Sequence, residues 1–238
     1  MAFFSALLKL AEAGATVIVS DVAEEEGRAS VDAIRATSGV ADFIKADLTV
    51  ESEIAGLVEQ SLSLHGRIDG AFNNAGLEQY AKPIHELSVG EWQRSIAVNL
   101  TSVFLCLKYQ ALAMIAQGGG SIVNTASSLG EIAIRDAAEY IAAKHGVIGL
   151  TRAAAADLGQ HNIRVNAVLP GITLTPMVKR VTEDPRTAAM FRTLKERHYL
   201  GRFGEPGEIG AAVTWLMSDL SSFVHGTAFP VDGGFLAS

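Results

Sequence analysis

The sequence predicts an α/β protein whose parallel sheet is covered by helices on both faces, a doubly wound architecture. Three observations support this fold class. Short apolar segments of strand length alternate with longer segments of helical period. Several strand segments are almost continuously apolar, as expected where helices bury both faces of a sheet. Only 7% of the 238 residues are aromatic whereas glycine is frequent, a composition that suits closely packed helices and strands better than a β-sandwich.

The predicted elements alternate along the whole chain. The strand candidates are residues 16–22, 41–48, 69–75, 121–127, 163–170 and 226–234. The helix candidates are residues 3–13, 23–36, 51–65, 90–117, 137–159, 176–197 and 206–219. Strand–helix–strand connections are right-handed and give parallel strands, at whose carboxyl ends ligands bind. No repeat or linker interrupts the pattern, so we expect one domain over residues 1–238.

Composition excludes several functional classes. The net charge is −7, which gives no overall attraction to nucleic acid or to an anionic membrane. No apolar run approaches the ~20 residues that span a bilayer, and the first 14 residues suggest an amphipathic helix rather than a signal peptide. The single cysteine, Cys106, is consistent with a reducing compartment and lies among apolar residues, as a core residue would. We therefore expect a cytoplasmic enzyme without nucleic-acid or membrane partners.

A metal-dependent activity is not indicated. The six histidines are scattered, and no two have the spacing of metal ligands. They are His65, His85, His145, His161, His198 and His225.

Tyr140 and Lys144 carry the strongest local signal for chemistry. Residues four apart share one face of a helix, so the lysine ammonium can approach the phenol. Lowering a phenol pKa from about 10 to about 7 requires about 4 kcal/mol. A cation ~4 Å away at an effective dielectric of ~20 supplies about that much. The pair could therefore act in proton transfer, although an ordinary exposed helix pair has the same spacing.

Two further polar residues, Ser127 and Asn99, support a catalytic role for Tyr140 and Lys144. Ser127 ends a strand candidate, so its hydroxyl could hold a substrate oxygen against Tyr140, with the neighbouring Ser128 as the alternative. Asn99 lies in an otherwise apolar helix candidate, either as a hydrogen-bonded core residue or as part of a proton relay.

Asp21 lies near the end of the strand candidate 16–22, a position that can correspond to the end of the second strand of a nucleotide-binding unit. A carboxylate there accepts hydrogen bonds from a ribose diol and repels a 2′-phosphate, which favours NAD over NADP. The alternative role is an N-cap for the helix that begins near Glu24, and one residue could fill both roles.

A basic segment, residues 176–203, departs from the acidic balance of the chain. It carries seven Lys and Arg residues and three acidic ones, a net charge of +4. Two interpretations remain open: a solvated helical insertion, or a mobile lid that faces an anionic group of a cofactor or substrate.

Taken together, these residues resemble the short-chain dehydrogenases/reductases, and among them the bacterial cyclic-alcohol and diol dehydrogenases. The resemblance runs from about residue 3 to residue 234 and is carried by motifs in the family's order. The motifs are Asn73-Asn74-Ala75-Gly76, Ser127, Tyr140-x-x-x-Lys144, Pro170-Gly171 and Val231-Asp232-Gly233-Gly234. The resemblance implies a Rossmann-like doubly wound parallel sheet and reversible hydride transfer between NAD and a secondary alcohol or ketone.

The resemblance also implies roles for individual residues. Tyr140 would be the acid/base, Lys144 would lower its pKa and hold the nicotinamide ribose, Ser127 would orient the substrate oxygen, and Asn99 would anchor a relay water. Further cofactor contacts would come from Asp21, Asp47, Leu48, Asn74, Ala75, Gly76, Pro170, Gly171, Thr173 and Thr175. Family members are commonly tetramers, so a homotetramer or homodimer is expected.

The chain departs from the family at its N-terminus. Members begin with a strand and a glycine-rich turn, T-G-x-x-x-G-x-G, whose backbone approaches the pyrophosphate. Here Met1, Phe3 and Phe4 stand where that turn would close. Because the missing strand is normally central, we expect either a marginally stable chain or a sheet that closes over the gap. Three explanations remain open: a misplaced start, a truncated variant, or a member that has given up NAD.

The alternative function is accordingly a non-catalytic subunit in mixed oligomers. The substrate cannot be named from the sequence. Its pocket is expected to be lined by residues 129–135, the segment after Gly171 and the basic segment 176–203.

Overall fold

A computed structural model describes residues 4–175, 178–179 and 188–237. Its strands are β1 (Thr16–Asp21), β2 (Val40–Lys45), β3 (Gly70–Asn73), β4 (Gly120–Thr125), β5 (Ile163–Pro170) and β6 (Ala228–Val231). Its α-helices are α1 (Phe4–Glu12), α2 (Glu24–Ala36), α3 (Glu51–His65), α4 (Val89–Ile96), α5 (Ser102–Gln117), α6 (Ala138–Leu158), α7 (Ala188–Glu196) and α8 (Pro206–Met217). The predicted alternation of strands and helices is confirmed.

The strands form two parallel sheets. We name the pair β1–β2 the N-terminal sheet and the row β3–β4–β5–β6 the catalytic sheet. In the N-terminal sheet Val19 lies opposite Phe43, and in the catalytic sheet Val123 lies opposite Asn166. Every pairing is parallel, which confirms the predicted α/β class.

The two sheets do not join within the part of the chain that the structure describes, because β1 and β3 are not paired. The expectation that the sheet closes over the missing strand is therefore not met. Closure would require a shift of the N-terminal sheet by about one strand spacing, ~4.8 Å. That shift is opposed by helix contacts, since α1 packs against α8 and α3 packs against α5.

The α1–α8 contact depends on a glycine. A Cβ atom at Gly210 would lie 2.9 Å from the Cα atom of Ala6, so only glycine lets the two helices approach this closely. Phe4 is half-buried and packs on the apolar cluster of the N-terminal sheet. The predicted obstruction by Met1 and Phe3 lies outside the described residues.

The main core lies between the catalytic sheet and α5 and α6. A second apolar layer, which includes Ile209, Val213 and Leu216 of α8, covers the other face of the same sheet. Residues 121–125 and 165–169 are buried without alternation, which explains why their sequences are almost continuously apolar in places.

The predicted helix 90–117 is interrupted. A π-helical turn, Ala97–Thr101, joins α4 to α5 and contains Asn99. Single π turns inside α-helices are frequent at functional sites. The composite helix Val89–Gln117 is long and apolar enough to cross a membrane by length and composition alone. Its α5 part packs on β3, β4 and β5, as the core helix of an α/β fold does.

The basic segment 176–203 is only partly described. Within it, α7 covers residues 188–196 of the predicted helix 176–197, and residues 176–177 and 180–187 lie outside the described parts. Phe191 packs edge-on against Phe203 at a ring separation of 6.1 Å, and Arg192 and Lys195 are exposed. Both interpretations of the segment, solvated insertion and lid, remain open.

Candidate active site

Tyr140 and Lys144 lie one turn apart on α6, and their side chains meet as the spacing predicts. The Lys144 Nζ atom is 5.6 Å from the centre of the Tyr140 ring. Lys144 is buried, and its ammonium donates a hydrogen bond to the Thr125 carbonyl oxygen at 2.9 Å. Tyr140 keeps part of its surface open, whereas its hydroxyl group is deeply enclosed by protein.

The pKa of the phenol differs from the sequence-based expectation. Burial raises the pKa of Tyr140 above its ordinary value, a side-chain hydrogen bond with Ser127 lowers it, and the charge of Glu78 raises it. Burial also lowers the pKa of Lys144 to about 8. The expected lowering of the Tyr140 pKa is thus outweighed by the desolvation of the phenolate, a quantity that residue spacing does not reveal.

The two neighbouring serines have separate roles. Ser127 begins a short 3₁₀ turn after β4, and its hydroxyl accepts a hydrogen bond from the Leu129 backbone at 3.1 Å while facing Tyr140. Ser128 is buried, and its hydroxyl donates to the Pro170 carbonyl oxygen at 3.0 Å. Only Ser127 is therefore placed to meet a substrate oxygen, and Ser128 fixes the end of β5.

Asn99, in the π-helical turn, is fully buried. Its amide donates to the Ser95 hydroxyl at 3.2 Å, and its Oδ1 atom accepts from the Leu77 backbone at 2.9 Å. A Cβ atom at Gly76 would lie 2.9 Å from this Oδ1 atom and 3.7 Å from the Lys144 Nζ atom. The glycine therefore lets the chain pass close to both side chains.

The residues predicted to line the cofactor cleft follow β3, and those predicted to border the nicotinamide lie at the carboxyl end of β5 and after it. Asn74 accepts a hydrogen bond from the Thr125 hydroxyl at 2.9 Å, and the following Ala75 and Gly76 are exposed. After β5, Gly171 donates its backbone N–H to Val231 at 3.1 Å. Beyond it, the Thr173 hydroxyl donates to the Gly171 carbonyl and the Thr175 hydroxyl accepts from the Val178 backbone, both at 3.2 Å.

The residues predicted to select and flank the adenosine part lie with the N-terminal sheet. Asp21 is exposed at the end of β1, where one carboxylate oxygen accepts from the Ala23 backbone at 2.9 Å. The N-cap of α2 is Ala23 rather than Asp21, so the capping alternative is wrong in detail. Hydrogen bonds from Thr49 hold the pKa of Asp47 below its ordinary value, and the charge of Arg94 contributes.

Leu48, predicted with Asp47 to flank the adenine, is half-buried and packs on Ile54, Leu105 and Cys106. Part of its surface remains available to a ligand. Burial raises the pKa of the Cys106 thiol to about 12, consistent with a core residue rather than a nucleophile.

The described residues fit one half of a nicotinamide dinucleotide better than the other. Near Tyr140 and Lys144, the exposed Ala75 and Gly76 and the polar ends of β3 and β5 offer groups that could meet a ring and a ribose. At α1, Phe4 packs into the apolar cluster of the N-terminal sheet. No group of three or more possible metal ligands occurs among the described residues.

Sequence analysis missed two acidic residues beside this site. Glu139, next to Tyr140, is fully buried and accepts a hydrogen bond from the Tyr80 backbone at 2.8 Å. Glu78, three residues after Ala75, acts on the charge state of Tyr140. Neither has a spacing signal, because the fold of the segment that follows β3 brings Tyr80 to Glu139 and the charge of Glu78 near Tyr140.

The fold and this set of side chains define an oxidoreductase, and comparison with known proteins identifies the family. A family model described as enoyl-(acyl carrier protein) reductase matches residues 4–236. The 2,5-dichloro-2,5-cyclohexadiene-1,4-diol dehydrogenase of Sphingobium indicum is 45% identical over 229 residues, which are 96% of this chain and 90% of the relative. The cyclohexanol dehydrogenase of an Acinetobacter species is 41% identical over 231 residues, 97% of this chain and 89% of the relative.

A solved structure gives the same result. The crystal structure of levodione reductase has a TM-score of 0.93 and 38% identity, and covers 99% of this chain and 93% of that one. The chain therefore belongs to the short-chain dehydrogenase/reductase family, as its motifs predicted. Its relatives are named as dehydrogenases and reductases, and the non-catalytic alternative is not favoured.

Proposed function

We propose that the chain oxidises a cyclic secondary alcohol with NAD, and reduces the corresponding ketone in reverse, with Tyr140 as the acid/base. The observation that carries this proposal is the convergence of Ser127, Tyr140, Lys144 and Asn99 at the carboxyl end of β4. The names of relatives at 41–45% identity support the substrate class, since they specify a cyclic diol and a cyclic alcohol.

The chain's own residues bind and orient the alcohol and move its proton. Ser127 donates its hydroxyl to the substrate oxygen, and the Tyr140 phenolate accepts the alcohol proton. Lys144 is enclosed beside the phenol, and its protonated ammonium group stabilises the Tyr140 phenolate. The Lys144 and Asn99 side chains form the route by which the proton leaves. When bound, NAD supplies the hydride acceptor.

Asp21 supports NAD as the preferred nucleotide. Its carboxylate is exposed at the end of β1, and one of its oxygens is not engaged by the Ala23 backbone. A carboxylate at this position repels a 2′-phosphate and accepts hydrogen bonds from a ribose diol. Asp47, Leu48, Asn74, Ala75, Gly76, Pro170, Gly171, Thr173 and Thr175 complete the proposed nucleotide site.

We further propose one cytoplasmic domain over residues 1–238 that assembles as a homotetramer or homodimer, with residues 176–203 as its lid and without nucleic-acid or membrane partners. The assembly is supported by exposed apolar residues on one face of α5, namely Phe104, Leu112 and Ile115. Sedimentation equilibrium tests it, and a monomer at assay concentration would contradict it.

The experiment that tests the proposed function has two arms on the 238-residue chain. Calorimetric titration with NADH and NADPH is expected to give saturable binding that favours NADH. Incubation with NAD and a panel of cyclic secondary alcohols is expected to produce NADH. An enoyl thioester with NADH is the comparison reaction, because the matching family model is described by that activity. The proposal would be contradicted if the chain reduced the enoyl thioester but oxidised none of the alcohols.

A further inference from the structure

The segment Leu77–Tyr80, which follows β3, is fixed at both ends to the catalytic machinery. The Leu77 backbone N–H donates to Asn99 at 2.9 Å, and the Tyr80 backbone N–H donates to Glu139 at 2.8 Å. Both acceptors are completely buried. The backbone between these two anchors, including that of Glu78, therefore has a defined position beside Tyr140.

The Glu139 anchor indicates that this position matters. Its Oε1 atom holds Tyr80, whereas its Oε2 atom is buried without a hydrogen-bond partner among the described residues. Burying a carboxyl group with a single partner is costly, even in the first turn of a helix where the helix dipole favours an anion. Burying the Glu139 carboxyl group gains only one backbone hydrogen bond, from Tyr80. Its main effect is therefore to fix the position of the segment Leu77–Tyr80.

Glu78 is the charged residue that the anchored segment presents. Its side chain is exposed and makes no ion pair or hydrogen bond within the described parts of the chain. Leu77, Glu78, Gln79, Tyr80 and Arg94 line an open depression of about 460 Å³. The charge of this carboxylate also raises the pKa of the Tyr140 phenol. The Glu78 carboxylate thus lies on a segment that is anchored to Asn99 and Glu139, and it lines an open depression.

The chemistry of a carboxylate restricts what it can recognise. An ionised carboxylate only accepts hydrogen bonds, so a ligand group that meets it must be a donor such as a hydroxyl. A ligand carboxylate would be repelled. In a cyclic alcohol whose reacting hydroxyl is at Tyr140, a second ring hydroxyl is the group that could donate to Glu78.

We propose that Glu78 is a specificity-determining residue that accepts a hydrogen bond from the second hydroxyl of a cyclic diol. The substrate class is accordingly narrower than cyclic secondary alcohols in general. This inference rests on the proposed function and deepens it, since Glu78 acts at the same site.

The test compares kcat/KM for cyclohexane-1,4-diol with kcat/KM for cyclohexanol in the wild-type chain, Glu78→Gln and Glu78→Ala. The wild type is expected to favour the diol. In both variants the diol/cyclohexanol ratio is expected to fall about tenfold, mainly through KM for the diol, because a charge-assisted hydrogen bond is lost. Glu86→Gln is the matched control, since Glu86 is an exposed carboxylate farther along the same connection. It is expected to keep the wild-type ratio.

A pH profile supplies a readout that a merely structural role would not move. Because the Glu78 charge raises the pKa of Tyr140, the rise of cyclohexanol oxidation with pH is expected at lower pH in Glu78→Gln. The profile of Glu86→Gln is expected to match that of the wild type.

The outcomes separate this inference from the proposed function. If no alcohol is oxidised by the wild-type chain, the proposed function fails and the assignment of Glu78 fails with it. If alcohols are oxidised but the ratio is the same in the wild type and Glu78→Gln, only the assignment of Glu78 is overturned. A wild-type preference for 4-hydroxycyclohexanecarboxylate over the diol would also overturn it, and would indicate recognition by Arg94.

Discussion

The catalytic sheet and the N-terminal sheet are held in place by different means. In the catalytic sheet, β4 lies between two paired strands and residues 121–125 are all buried. In the N-terminal sheet, each strand has one partner, and the sheet is joined to the remainder by the α1–α8 and α3–α5 contacts. Strand pairing therefore forms the frame on which α6 and its reacting side chains pack, whereas helix packing places the residues proposed to hold the adenosine part. Changes to the two regions should accordingly have different effects.

The largest effect is expected beside the catalytic sheet, from the substitution Tyr140→Phe on α6. Removing the hydroxyl leaves the ring in place but eliminates the proton acceptor, so kcat for alcohol oxidation should fall about 10²–10⁴-fold. Tyr109→Phe is the control, because the Tyr109 hydroxyl contacts Glu51 at 3.0 Å on α3 and should be dispensable for the reaction. Steady-state kinetics measure both variants, and near-normal kcat in Tyr140→Phe would refute the acid/base assignment.

The second-largest effect is expected at the contact between α1 and α8, which helps to hold the N-terminal sheet in place. Gly210→Ala places a Cβ atom 2.9 Å from the Cα atom of Ala6, and such overpacking costs about 1–3 kcal/mol. Gly207→Ala is the matched control on the same helix, because nothing lies within 4 Å of its added Cβ atom. Urea unfolding should show a loss of stability in Gly210→Ala alone. Equal stabilities would show that α1 does not depend on this close approach.

A pH-dependent effect is expected from Lys144. Its folded-state pKa, about 8, lies below the ordinary 10.5, so the folded chain releases a proton that the unfolded chain keeps. Stability is therefore lowest below pH 8 and increases as the pH rises toward 10.5. Relative to Lys144→Met, the wild-type free energy of unfolding should rise by about 2 kcal/mol between about pH 7.5 and 9.5. Parallel pH profiles of the two proteins would contradict the burial of a charged Lys144.

The smallest effect is expected at Asp21, the residue of the N-terminal sheet that we propose contacts the nucleotide. Asp21→Ala should raise the affinity for NADPH relative to NADH about tenfold, about 1.4 kcal/mol, because the repulsion of a 2′-phosphate is removed. Asp32→Ala, an exposed carboxylate on α2, is the control. Calorimetric titration measures both ratios, and an unchanged ratio in Asp21→Ala would remove the support for NAD selection.

The sequence predicted those features that depend on local pattern. The apolar runs of β4 and β5, the shared face of Tyr140 and Lys144, and the strand-end position of Ser127 all follow from periodicity and spacing. Features that depend on burial were not predictable. The direction of the Tyr140 pKa shift is one example, because desolvation depends on what the fold packs around the phenol.

Contacts between distant segments were also missed. Glu139 and Tyr80 are 59 positions apart, and their hydrogen bond has no sequence signature. The π turn at Asn99 and the separation of the two sheets likewise depend on packing between elements.

Native-state hydrogen exchange tests the contrast between the two sheets most directly. Amides of Val17–Ser20 in β1 are expected to exchange through local opening at a free energy below that of global unfolding. Amides of Ile122–Asn124 in β4, which lies between two strands, are expected to exchange only through global unfolding. Equal opening free energies in the two strands would contradict the account, because the N-terminal sheet would then be as firmly held as the catalytic sheet.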